Sequence, residues 1–174
     1  MNDDRVEAPV PAPLRLHEAV VQPAWVDYNR HMSESCYLLA FGDNADAFFR
    51  YIGIDAKYRA EGHSLYTVET HLHHRREVSE GESLSMTLRV LGHDAKRVHV
   101  FHEMFLGDSD ELVATAEQML IHVDSRAGRA AAMPQAVGVR LESIRRAHAE
   151  LVLPEVVGRP MGINRPRREP WTSN

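Results

Sequence analysis

Trp25-Val26-Asp27-Tyr28-Asn29-Arg30-His31-Met32, running on through Ser33 to Ile52, is the stretch from which the fold can be read. Its second half has a helical period. Tyr37, Phe41, Ala45, Phe48 and Ile52 recur at spacings of four, four, three and four, which is one face of an α-helix. Asp43, Asp46 and Arg50 fall on another face. Ser33 stands where an N-cap is expected, and Gly53 follows the last apolar residue, where a C′ glycine is expected. Such a helix is about 30 Å long. Its one broad apolar face calls for a sheet to wrap it. Asp27 lies in a loop six residues before Ser33. A helix start offers unpaired N–H groups and partial positive charge. Those donors could polarise a carbonyl while Asp27 acts on the same carbon or on a water beside it, which is what acyl transfer or hydrolysis needs.

Before this stretch, Leu16 to Val26 reads as a first strand. Pro23 near its end marks an edge or a bulge. After it, Ala56 to Ser64 reads as a loop. Tyr66, Val68, Thr70 and Leu72 then alternate with Thr67, Glu69, His71 and His73. Leu84, Met86, Leu88 and Val90 alternate with Ser83, Ser85, Thr87 and Arg89. Arg97 to Leu106 and Glu111 to Val123 are further strand segments. Period-two alternation with short Gly/Asp turns predicts antiparallel strands joined as hairpins. Val137 to Glu150 reads as a second, more polar helix. The class is α+β, with an antiparallel sheet wrapped around a long central helix, and the order of elements is that of a hot-dog fold. Residues 1–14 read as a flexible lead-in, 15–150 as a single domain and 151–174 as a tail. Sheets of this kind pair edge to edge or face to face, so a homodimer or homotetramer is expected.

The segment Asp27-x-Asn29-x-His31-Met32, with Tyr37-Leu38 beyond it, resembles the active-site segment of the 4-hydroxybenzoyl-CoA-type hot-dog thioesterases. This sequence departs from the family pattern at Arg30, where Gly is usual, and at Ser33-Glu34, where Asn-Asn is common. Tyr66-Thr67-Val68-Glu69-Thr70-His71 and Ala116 to Asp124 resemble a narrower group, the betainyl-CoA thioesterases of carnitine breakdown, which also occur fused to carnitine dehydrogenases. The resemblance implies hydrolysis of a short acyl-CoA, betainyl-CoA in the narrower reading, to the free acid and CoA. A dehydratase and a non-catalytic acyl-CoA-binding domain are the rival readings.

Asp27 is the expected general base or nucleophile, and the backbone N–H groups of Glu34 and Ser35 the expected donors to the oxyanion. Asn29 could orient water or simply make a turn. His31 could position Asp27 or pack under the loop. A cationic acyl group would be drawn to aromatic faces, for which Trp25, Tyr28 and Tyr66 are candidates. Glu69, with His71 on the same strand face, could hold it by charge. Among the basic residues near strand ends, Arg97, Arg76 and Arg129 are candidates for CoA phosphates. Eleven histidines raise a metal question, but no Cys pattern or HExxH accompanies them, so neither a metal nor a cofactor is expected. The one cysteine, Cys36, excludes an internal disulfide and fits a reducing compartment. A net charge of −5 argues against a general nucleic-acid binder. No apolar run approaches a membrane span. The acidic, Pro-rich start has no signal-peptide core, which leads to a cytoplasmic expectation.

Overall fold

The computed structural model describes residues 9–163; the parts of the expected lead-in and tail at 1–8 and 164–174 lie outside the described residues. In chain order the elements are β1 (Leu14–Val20), a 3-10 turn (Pro23–Trp25), α1 (Glu34–Tyr51), α2 (Ala56–Ala60), β2 (His63–His74), β3 (Ser83–His93), β4 (Arg97–Leu106), β5 (Leu112–Asp124), the short β6 (Arg129–Ala130) and α3 (Gln135–His148). The strands form one antiparallel sheet in the order β1-β3-β4-β5-β2, with β6 added to β5. This is the expected hot-dog fold, α+β in class.

Several local expectations are corrected. The first strand is earlier and shorter than Leu16 to Val26, and Pro23 opens a 3-10 turn instead of ending a strand. Its fixed φ suits the first residue of a helical turn. The expected loop at Ala56 to Ser64 contains α2, whose start is capped by the Asp55 carboxylate accepting from the Tyr58 N–H at 2.9 Å. The strands are not all consecutive hairpins. β3–β4 and β4–β5 are hairpin pairs, whereas β2 pairs with β5. The chain after β2 leaves the sheet because its backbone is used elsewhere: Val78 accepts from Met32 N–H at 2.7 Å, and Gly81 N–H donates to Val21 at 2.9 Å.

β2 also carries a bulge. Thr67 lies opposite Leu120 and Glu69 opposite Met119, so Val68 is the extra residue. One inserted residue reverses the facing of everything after it. Thr67 therefore turns to the α1 side, while Tyr66, Glu69, His71 and His73 share the outer face. The single polar row of Thr67, Glu69, His71 and His73 read from parity does not exist. Glu69 and His71 instead meet each other, 3.5 Å apart, on the side of the sheet away from α1.

The core lies between α1 and the sheet and falls into two apolar clusters. Phe48, Leu88, Val90, Val98, Val100 and Leu120 pack with Leu141 and Ile144 of α3. Phe41, Met86, Met104, Ala114 and Ala116 pack around Tyr37 and Met32. Between them runs a buried polar layer formed by one residue from each facing element: Asn44 of α1, His102 of β4 and Gln118 of β5. The Asn44 amide donates to His102 Nδ1 at 3.0 Å and to the Thr87 carbonyl at 3.3 Å, and the Gln118 amide donates to Thr70 at 3.3 Å. The Asn44 bonds key the rotation of α1 over the sheet, while Asn44 Oδ1, His102 Nε2 and Gln118 Oε1 of the same layer are buried without a partner among the described residues. His99, three residues earlier than His102 on β4, faces the other way and bonds Glu117 at 2.7 Å.

On the outer face the chain after α3 crosses the sheet. Arg89 donates to the Val152 carbonyl at 2.8 Å, and Gly158 N–H donates to Glu117 at 2.8 Å. The nearer part of the expected tail is thus tied to the sheet. No helix is long and apolar enough to cross a membrane among the described residues.

His102 gives this core a pH signature. It is fully buried, and burial pushes its pKa down to about 4 from an ordinary 6.5. Between those values the unfolded chain binds a proton that the folded chain refuses, so stability falls as pH drops. The shift corresponds to about 3 kcal/mol. Urea midpoints should fall steadily from pH 7 to pH 4, and His102→Gln should flatten that profile; an unchanged slope in the variant would assign the acid sensitivity elsewhere.

Candidate active site

The loop before α1 is closed at its base by an antiparallel bridge between Val26 and Met32. Inside it Asp27 N–H donates to the His31 carbonyl at 2.9 Å, and Arg30 N–H donates to the Asp27 carbonyl at 3.0 Å. The Asp27 carboxylate folds back over this turn. Its Oδ1 accepts from Asn29 N–H at 2.8 Å and from His31 N–H at 3.4 Å. Asn29 and His31 therefore meet Asp27 through their backbone; their residues are exposed. Oδ2 of Asp27 has no bonded partner among the described residues. Arg30 completes the turn with φ of +65°, the left-handed region that glycine adopts freely.

The loop is pinned from two sides. Ser33 N–H donates to the Trp25 carbonyl at 2.8 Å, and Met32 N–H donates to Val78 at 2.7 Å. His31 bridges Ser79. Ser33 occupies the N-cap with extended backbone, but its hydroxyl makes no cap bond, which corrects the expected capping contact. Cys36 N–H turns back to the Ser33 carbonyl at 2.9 Å. The N–H groups of Glu34 and Ser35 have no acceptor among the described residues. The helix thus begins with open donors one residue beyond a pinned loop that carries a carboxylate.

Beside this start is a cleft of about 370 Å³. Met32, Glu34 and Tyr37 wall it from the loop and helix, and His74 and Glu77 from the end of β2 and the chain beyond. The rings of Tyr37 and His74 meet edge to face with centroids 4.7 Å apart. Tyr37 is buried and its hydroxyl donates to the Arg76 carbonyl at 3.2 Å. Burial pushes its phenol above the ordinary range, and the negative charge of Glu77 adds to the rise. Arg75 and Arg76 also border the cleft, and Arg76 is held by Glu111 at 2.5 Å.

The other candidates are placed as follows. Trp25 packs against the second core cluster, as does Cys36. Tyr28 projects from the loop, 93% exposed. Tyr66 and the bulged Val68 stand open on edge strand β2, 53% and 58% exposed. Tyr66, Glu69 and His71 lie on the sheet face opposite α1, so one chain does not bring them to its own helix start. Arg97 and Arg129 sit at the far end of the sheet. Arg97 is opposite Ile121, about 24 Å by strand rise from the Ala114 end that borders the cleft. Arg97 is tied to Asp94, whose carboxyl pKa is held down to about 2 by the Lys96 N–H first and then by the Arg97 guanidinium and N–H. Of the three Arg candidates, Arg76 alone borders the cleft.

Glu77 and His74 were not singled out from the sequence, and Met32 was noted only as part of the motif around Asp27. Tyr37 was noted on the helical face and in the family motif, but His74 ends β2 and Glu77 follows it, and no one-dimensional spacing links them to the helix start. Among the described residues no group of three or more His, Cys, Asp or Glu is arranged to hold a metal ion.

A sequence profile described as the thioesterase-like superfamily matches residues 21–141. A Rhizobium protein named L-carnitine dehydrogenase/betainyl-CoA thioesterase is 48% identical over 153 residues, which are 88% of this chain and 31% of that protein. The chain thus spans about a third of that relative. A Pseudomonas aeruginosa protein named betainyl-CoA thioesterase is 42% identical over 151 residues, covering 86% of this chain and 95% of that protein. A Staphylococcus aureus protein solved in complex with CoA superposes with a TM-score of 0.81 at 25% identity, covering 88% of this chain and 98% of that one.

The left-handed residue offers a direct check of the loop. Arg30→Gly should relieve the backbone and stabilise the protein by about 1 kcal/mol, net of the extra freedom glycine adds to the unfolded chain. Thermal unfolding should shift up by about 2–4 °C; a downward shift would mean that the Arg30 side chain, not its backbone, matters to the loop.

Proposed function

Starting from a chain that belongs to the thioesterase-like superfamily, we propose an acyl-CoA thioesterase that hydrolyses betainyl-CoA to the free acid and CoA. The observation that carries the reading is the Asp27 carboxylate on a pinned loop that leads directly into the open amides of α1.

In this reading the thioester carbonyl oxygen accepts from the N–H groups of Glu34 and Ser35. Negative charge grows on that oxygen as the carbon is attacked, and the partial positive end of α1 stabilises it. One such donor is worth on the order of 3 kcal/mol of barrier. Asp27 takes a proton from water as the water oxygen bonds the carbonyl carbon. Collapse of the adduct breaks the carbon–sulfur bond, and the thiolate of CoA leaves with that proton. Direct attack by the carboxylate, giving a mixed anhydride that water then opens, uses the same placement. Asn29 and His31 act as positioning residues through their N–H bonds to Oδ1, which leave Oδ2 available.

A second copy of the chain completes the proposal. The open edge of β2, with Tyr66 and Val68 beside it, would pair with its counterpart across a two-fold axis. Sedimentation should give a dimer or a multiple of one, and Val68→Lys should yield monomer; a wild-type monomer at micromolar concentration would remove the edge pairing.

Thiol release from betainyl-CoA tests the chemistry. Asp27→Asn, purified and folded, should lose about 10²–10⁴-fold in rate. Full turnover in that variant would take Asp27 out of the mechanism, and tight binding of CoA esters without any release by the wild type would favour a binding domain.

A further inference from the structure

We propose that the cleft at the start of α1 receives the acyl group, and that Glu77, with Glu34 and Tyr37, selects acyl groups bearing a quaternary ammonium. This rests on the thioesterase reading above and goes beyond it by naming the side chains that discriminate on charge.

Position is the first argument. The cleft opens at the same helical turn whose free N–H groups would hold the carbonyl, so the atoms just beyond that carbonyl enter it. Chemistry is the second. A quaternary ammonium has no N–H to donate, so it is recognised by charge and by polarisable or aromatic surface. The walls supply that combination: the carboxylates of Glu34 and Glu77, the paired rings of Tyr37 and His74, and the Met32 thioether. The reach of the Glu77 charge into this wall is registered on the Tyr37 phenol.

The two cations at the cleft do not cancel these carboxylates. Arg76 is paired with Glu111 at 2.5 Å, so the two carboxylates of the cleft outnumber the one guanidinium left, that of Arg75; all three are exposed in the free protein, where water screens each alike. A bound acyl-CoA would cover both carboxylates. A neutral branched acyl group would then leave them desolvated without a partner, which penalises the wrong substrate as well as favouring the right one. Glu69 and His71, on the opposite face of the sheet, are not needed for this selection.

The experiment compares kcat/KM for betainyl-CoA with that for 3,3-dimethylbutanoyl-CoA, which has the same shape with carbon in place of the charged nitrogen. The wild type should prefer the cation. Glu77→Gln should lower the ratio at least tenfold, and Glu34→Gln should lower it severalfold. Because each ratio is taken within one protein, partial misfolding cancels. A ratio unchanged in both variants overturns the assignment while leaving the hydrolase intact. If the wild type hydrolyses no CoA ester, the thioesterase reading fails instead, and calorimetric titration with tetramethylammonium chloride then decides the cleft. Binding weakened by Glu77→Gln supports the assignment, and equal or absent binding in both proteins overturns it.

Discussion

The constraint on which the structure depends is the unsatisfied beginning of α1. A helix start has donors that want an acceptor. Here the nearest acceptors are spent elsewhere: the Trp25 carbonyl takes the Ser33 N–H, Val78 takes Met32, and the Ser33 hydroxyl makes no cap bond. The Asp27 carboxylate, the one anion in the loop, is turned onto the Asn29 and His31 N–H groups. The open donors are thereby held at a fixed place without being satisfied by the chain itself. A natural protein that leaves a cap unmade gives up about 1 kcal/mol. Such a concession is expected where a ligand oxygen is meant to complete the site.

The rest of the fold keeps that helix end from moving. α1 is gripped along its length by the sheet, with Phe41 and Phe48 in separate apolar clusters and Asn44 between them bonded to His102. Sliding or rolling α1 would break this polar layer before it broke much apolar contact. At the helix start, the end of β2 and the strand-free chain after it form both the pin under the loop, through Val78 and Ser79, and the wall of the cleft, through His74 and Glu77. One segment thus links loop position to cleft shape.

The helix and its termini were legible because they follow local rules. The period of Tyr37, Phe41, Ala45, Phe48 and Ile52 and the glycine at 53, which takes φ of +92°, mark α1 correctly. β4 was also legible to the residue, from Arg97 to Leu106. What failed depended on partners distant in sequence. The bulge at Val68 is defined by its register against β5, and alternation along β2 alone cannot reveal it. The pairing of β2 with β5 depends on where residues 75–82 are anchored. The resemblance around Asp27 pointed to the loop, and Arg30 stands in the left-handed conformation at the position where that family usually has glycine. His74 and Glu77 had no such signal, since only the folded sheet brings them to Tyr37.

The central claim is that the open amides of α1 grip the substrate carbonyl. Its most direct measurement is the difference Raman spectrum of betainyl-CoA bound to Asp27→Asn, in which the thioester survives long enough to be seen. Polarisation by the Glu34 and Ser35 N–H groups predicts a carbonyl stretch at lower frequency than that of the same ester free in water. A stretch at or above the free value would contradict the account.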